Sequence, residues 1–332
     1  HDAVISLACL PLALPLLLSA DAGNGATAAV GLQRELIFES YTPQSSSAEL
    51  LRRVLSPLTA QRAQHAVAAS GEALREQAID LTREKFALYV PAQKPASGYA
   101  VLVFIPPWEE AKVPPEWISV LDRHGMIFVS AANSGNSANV LDRREPLALL
   151  AAHNVLKRYR IDPSRVYVGG FSGGSRVALR LALAYPDVFR GALLNAGSGL
   201  IGNAQIPLPP ALLFRQFQDS SRLVYVTGKQ DRELLDLDTR SRSSMQSWCM
   251  FNVATQAMPW SGHELAEPGA FDRALAALAE PANNDADKLA ACRARIDEEV
   301  AAQIHAVEKL IDDGKKEPAR AALNALDVHY GG

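Results

Sequence analysis

The feature that most constrains this chain is a glycine-framed serine, Gly170-Phe171-Ser172-Gly173-Gly174, set between a strand and a helix. Arg165-Val166-Tyr167-Val168-Gly169 precedes it, a β-branched and aromatic stretch that reads as a buried strand. Ser175 to Tyr185 follows, a good helix former closed by Pro186. Alone, the five-residue pattern is common. Between a strand and a helix it requires a sharp turn, where bulky neighbours would block the backbone and anything approaching the hydroxyl. The helix start behind Ser172 supplies free N–H groups and a positive dipole end, which suit a developing oxyanion. A Gly-rich turn of this kind also occurs in doubly wound proteins at large, so Ser172 needs partners before it carries chemistry.

A serine hydroxyl is a weak nucleophile without a base. Downstream of it stand His263, His305 and His329. His305 lies in the charged helical stretch Asp297 to Leu310, and His329 in the C-terminal tail. His263 instead follows an expected last strand, Val253 to Met258, in the loop Pro259-Trp260-Ser261-Gly262-His263-Glu264, with an expected closing helix from Pro268 to Ala279. That is where a general base is needed. A third strand, Arg222 to Val226, runs into Thr227-Gly228-Lys229-Gln230-Asp231. A carboxylate just past a strand end can reach the other ring nitrogen of the histidine and hold its tautomer. Asp231 is the choice, with Asp236 and Asp238 as competitors and a turn-forming or capping aspartate as the plain alternative.

An oxyanion site needs two donors, and the Gly173 amide is the first. The second is expected from the loop after Tyr99 to Ile105, which reads Pro106-Pro107-Trp108-Glu109. Proline has no N–H to give, so Trp108 is the first available amide, and its indole is a candidate wall of the acyl pocket. Asn133 or Asn136, past the strand Met126 to Ser130, sit on the edge where ligands bind in open α/β sheets. Trp248 and Trp260 are further pocket candidates, with ordinary aromatic packing as the alternative.

With these residues in view, the chain resembles the α/β-hydrolase superfamily and, within it, secreted bacterial esterases of the polyhydroxybutyrate depolymerase and feruloyl esterase type. The resemblance is carried by Tyr167 to Gly174, by Val226 to Asp231 and by Gly262-His263. Arg160 to Tyr167, Tyr185 to Phe189 and Gly191 to Gly197 extend it, so that it spans roughly Ile79 to Pro281. Pro106-Pro107 stands where many such enzymes carry His-Gly. The resemblance implies an α/β-hydrolase fold, with a mostly parallel central sheet flanked by helices; past Pro281 the Ala-rich, charged composition reads separately as a C-terminal α-hairpin extension. It also implies a serine-dependent carboxylic ester hydrolase that works through an acyl-enzyme, needs no cofactor, and acts on a feruloyl, short-chain or polyester-type ester, small or oligomeric. The rival readings are a serine peptidase of the same fold and an exported binding protein on a hydrolase fold. An intact Ser172, Asp231 and His263 in this order opposes the last.

The remaining sequence sets the organisation. A nearly continuous apolar run from Val4 to Leu18, followed by Ala20-Asp21-Ala22, reads as an export signal over residues 1–22. It is short for a membrane span of ~20 residues, so no stable insertion is expected after cleavage and the product is exported, periplasmic or secreted. Residues 23–76 form a lead-in with short helices, 77–281 the catalytic domain, and 282–332 a helical hairpin that offers a surface for bracing or for a protein partner. Ala78 to Thr82 and Lys85 to Pro91 are expected as the opening antiparallel strands. Net charge is -3 without a basic face, which argues against nucleic acid. No Cys/His cluster has metal-ligand spacing, so no metal is expected. Cys249 and Cys292 would be the two cysteines left after cleavage, free to pair or to stay as buried thiols.

Overall fold

A computed structural model describes residues 28–332. The export-like segment 1–22 lies outside the described residues. The chain folds around one eight-stranded, mostly parallel sheet flanked by helices, the architecture expected from the sequence. Its strands are β1 (Gly31–Leu36), β2 (Phe86–Val90), β3 (Tyr99–Ile105), β4 (Met126–Ala131), β5 (Ile161–Phe171), β6 (Gly191–Asn195), β7 (Arg222–Gly228) and β8 (Val253–Met258), in the spatial order β1-β2-β4-β3-β5-β6-β7-β8. β2 is antiparallel to both β1 and β4, and every other neighbouring pair is parallel.

Parallel strands covered on both faces should be apolar throughout, and β3 is buried at all of its positions. The period of two then divides each strand between two cores. Val101, Val103 and Ile105 of β3, with Val166 and Val168 of β5, face the helices Ser47–Val54, Glu145–Arg158 and Gly173–Ala184. Ala100, Leu102 and Phe104, with Tyr167, face the helices Ile118–His124 and Pro268–Ala279. Trp117 closes that second core, stacked on Phe271 with ring centroids 3.9 Å apart.

The opening of the sheet differs from expectation. Leu81–Arg83 is a 3-10 turn capped by Asp80, and the strand that pairs with β2 is Gly31–Leu36, inside the stretch expected as a lead-in. β1 is a half-exposed edge strand, so it lacks the apolar run that marks its neighbours.

The C-terminal hairpin consists of helices Ala286–Asp312 and Lys316–Tyr330, turning at Gly314 with φ +74°. It is fastened to the rest of the chain at several points. Asp327 accepts from the Leu58 amide at 2.9 Å, Arg293 reaches Asp219 at 2.7 Å, and a Cys249–Cys292 disulfide joins its first helix to the segment before β8. The C-terminal tail that carries His329 is the last turn of the second of these helices, and His329 Nδ1 lies 3.0 Å from the Gly202 carbonyl. Trp248 is buried beneath this layer, packed against Phe214, His329 and Tyr330. Among the described residues no helix is long and apolar enough to cross a membrane.

Candidate active site

Ser172 is the single residue between β5 and the helix Gly173–Ala184. Its backbone sits at φ 55° and ψ -122°, a region a serine rarely adopts, at a cost of order 1–3 kcal/mol that the surrounding packing must offset. The Ser172 amide donates to the Asn195 carbonyl at 2.9 Å, tying the turn to β6. The flanking glycines are needed for close approach. A Cβ on Gly170 would fall on the backbone of Gly174, and one on Gly174 would fall on the Ile105 carbonyl at the end of β3.

His263 bridges the other two residues. Its Nε2 lies 3.0 Å from Ser172 Oγ and its Nδ1 lies 2.7 Å from Asp231 Oδ2. In the neutral ring, Nδ1–H donates to the carboxylate and Nε2 is left to accept from the serine hydroxyl. Asp231 is mostly buried, 12% exposed, while the His263 ring is 46% exposed at the mouth. The acid and histidine loops are zipped together. The Lys229 amide donates to the Met258 carbonyl and the Gln230 amide to Ser261, both at 3.0 Å, and Gly228 is glycine because a Cβ there would meet the Gly262 carbonyl. Asn195, fully buried, holds the histidine loop from behind: it accepts from the Ala266 amide at 2.7 Å and donates to the Glu264 carbonyl at 3.3 Å.

The competing acids are engaged elsewhere. Asp236 is exposed and pairs with Arg240 at 3.2 Å. Asp238 is buried and accepts from the Ser198 and Thr227 hydroxyls, both at 2.6 Å. Burial pushes its carboxyl above the ordinary aspartate range despite those two donors. Of the other histidines, His305 stands exposed beside Glu308 on the hairpin and His329 is bonded to Gly202.

Gly173 opens the helix, and the loop after β3 lies against it through neighbours the sequence reading did not single out together. The Pro107 carbonyl accepts from the Asn136 amide at 3.0 Å, and the Asn136 side-chain amide occupies the place a Cβ on Gly173 would take. The Trp108 indole is half-buried, 6.2 Å from both Phe104 and Phe171, and Phe171 lies 5.1 Å from the His263 ring. It therefore backs the site through Phe171. Its Nε1 is buried without a hydrogen-bond partner.

Trp260 is 89% exposed in the turn before His263. Asn133 has φ 53°, donates its amide to the Glu109 carbonyl at 2.7 Å, and lines a groove of about 810 Å³ with Glu109, Lys112 and Val113. Asn136, not Asn133, is the asparagine whose side chain meets the elbow. Among the described residues no group of three or more His, Cys, Asp or Glu side chains could hold a metal ion.

No family model matches the chain. It is 32% identical over 95 residues to a poly(3-hydroxybutyrate) depolymerase of Ralstonia pickettii, covering 24% of this chain and 20% of that protein. It is 50% identical over 44 residues to poly(3-hydroxyalkanoate) depolymerase C of Paucimonas lemoignei, covering 13% of this chain and 11% of that protein. The chain thus matches a fifth or less of the length of these curated relatives. A solved ferulic acid esterase superposes with a TM-score of 0.41 at 16% identity, over 58% of this chain and 89% of that one.

Proposed function

We propose that the chain is a carboxylic ester hydrolase that works through Ser172, His263 and Asp231. The observation that carries the reading is the position of His263, within hydrogen-bond distance of both the Ser172 hydroxyl and the Asp231 carboxylate. Ser172 Oγ attacks the ester carbonyl carbon while His263 Nε2 takes its proton. Asp231 holds the imidazolium that forms. The amides of Gly173 and Trp108 stabilise the tetrahedral oxyanion. Collapse expels the alcohol, which recovers its proton from His263 and leaves the acyl group on Ser172. Water, activated by the same ring, then releases the acid.

The half-exposed His263 ring and the exposed Trp260 leave the mouth open to an extended ester, and two matched relatives are named as polyester depolymerases. An oligomeric hydroxyalkanoate-type ester is therefore the proposed substrate, within the feruloyl, short-chain and polyester types that the sequence resemblance implies. The Cys249–Cys292 disulfide supports an oxidising compartment, in line with residues 1–22 acting as an export signal. A fluorophosphonate probe should label Ser172 and no other residue. Ser172→Ala should remove labelling and lower turnover of a short p-nitrophenyl ester by several orders of magnitude with the fold retained. A folded Ser172→Ala variant with a tenth of the original turnover would overturn the reading.

A further inference from the structure

Arg144 has no role in the chemistry above, yet its burial needs explaining. The residue is 4% exposed, at the end of a single π-helical turn, Val140–Arg144, leading into the helix Glu145–Arg158. A buried guanidinium is costly unless paired. Among the described residues no carboxylate pairs with it, and its neighbour Glu145 is committed to Arg180 at 3.1 Å. Arg144 instead donates Nε–H to the Ser134 carbonyl and an Nη2–H to the Pro106 carbonyl, both at 2.8 Å.

Those two carbonyls belong to the two loops that flank the elbow. The loop after β3 carries Pro106, Pro107 and Trp108, and the loop after β4 carries Asn133 to Ser137. Both touch the start of the nucleophile helix. A Cβ on Gly174 would lie 3.0 Å from the Pro106 carbonyl carbon, and one on Gly173 would collide with the Asn136 side chain. The loops also touch each other, since a Cβ on Gly135 would lie 2.5 Å from the Trp108 carbonyl oxygen and the Asn136 amide donates to Pro107. The fork of Arg144 spans this contact from behind. Proline at 106 and 107 removes two backbone donors that could otherwise anchor the loop, which leaves its carbonyls as the points at which it can be held.

We infer that Arg144 is a positioning residue for the oxyanion site, clamping the Pro106-Pro107-Trp108 loop against Gly173 and Gly174 by way of the Pro106 and Ser134 carbonyls. This rests on the proposed ester hydrolysis and adds to it the residue that sets the second donor. A planar two-pronged donor is required, because the two acceptors lie on different loops and a single ammonium cannot reproduce the fork. A displaced donor weakens binding of the oxyanion and leaves binding of the neutral ester nearly unchanged.

The test compares Arg144→Lys and Arg144→Met with the unaltered protein on a short p-nitrophenyl ester, with a boronic acid as a mimic of the tetrahedral adduct. The expected result is a fall in kcat on the order of 10- to 100-fold with KM little changed, and a parallel loss of boronate affinity. A merely structural role would lower the thermal midpoint and leave kcat and boronate affinity of the folded fraction intact, which would overturn the inference. Gly135→Ala provides an independent reading should the Arg144 variants not fold, since it presses on Trp108 from the other loop with the guanidinium in place. A folded Gly135→Ala variant with full kcat and full boronate affinity would also overturn it. Ser172→Ala run alongside separates the two ideas. If that variant stays active the ester-hydrolase reading fails, whereas an inactive Ser172→Ala with a fully active Arg144→Lys defeats only the clamp.

Discussion

At the scale of single residues, the site separates carboxylates by environment. Asp231 faces a histidine ring at the mouth, and Asp238 is buried seven positions later between two hydroxyls. Their substitutions should therefore fail differently. Asp231→Asn should keep the fold and lower kcat by roughly 10⁴-fold, because the amide favours the wrong His263 tautomer. Asp238→Asn should leave a hydroxyl facing an amide N–H inside the core, costing roughly 1–3 kcal/mol in a denaturation curve with a smaller effect on kcat. The reverse pattern would move the acid to Asp238. Trp108 divides in the same way between amide and ring. Trp108→Ala keeps the amide and should shift acyl-chain preference and KM, since the indole backs Phe171. Trp108→Pro removes the donor and should cost on the order of 10²-fold in kcat, with circular dichroism checking that the loop still folds. Near-normal kcat in a folded Trp108→Pro variant would place the second donor elsewhere.

At the scale of elements, the helix Gly173–Ala184 is held at both ends. Its start is wedged against β3 through Gly174. Its far end is tied to the helix Ser47–Val54, where Arg53 donates to the Ala184 carbonyl at 3.3 Å and pairs with Asp187 at 2.7 Å. Glu49 completes this cluster. Hydrogen bonding to Arg52, opposed in part by desolvation and reinforced by Arg53, lowers its carboxyl from 4.5 to about 2. A carboxyl lowered in the folded state contributes stability that is complete above its unfolded value and is lost as pH falls from about 4.5 toward about 2. Denaturant midpoints measured across that interval should drop with acidification, and Glu49→Gln should flatten the drop. An unchanged slope in the variant would assign the acid sensitivity to other groups.

For the whole molecule, the hairpin is a brace fastened at several separated points, and the disulfide is its covalent one. Cys249 and Cys292 are 43 positions apart, with Cα atoms 5.8 Å from each other. Closing a loop of that length restricts the unfolded chain and is worth on the order of 2–4 kcal/mol. Cys292→Ser, or reduction, should lower the thermal midpoint and release the two C-terminal helices to protease first. Turnover measured below the new midpoint should hold, because the fastenings at Leu58, Asp219 and Gly202 fall outside the loops that carry Ser172, Asp231 and His263. Equal loss of activity and stability on reduction would show that the brace reaches the site.

Much of this arrangement is legible in the sequence, for a physical reason. The glycine-framed serine, the strand ends that deliver Asp231 and His263, and the closing helix Pro268–Ala279 are written in local periods of two and 3.6 and in turn residues. These signals act over a few positions, so the order of residues along the chain preserves them. The Gly31–Leu36 strand is not legible because an exposed edge strand carries little apolar signal, while the strand expected over Ala78 to Thr82 gives way to the Leu81–Arg83 turn capped by Asp80. Tertiary approach alone decided the rest. The pairing of Cys249 with Cys292, the Asn136 amide against Gly173, the capture of Asp238 by Ser198 and Thr227, and the fork of Arg144 all join segments brought together by packing. Burial leaves a polar group costly until it finds a partner, and which partner it finds is settled only when distant segments close around it.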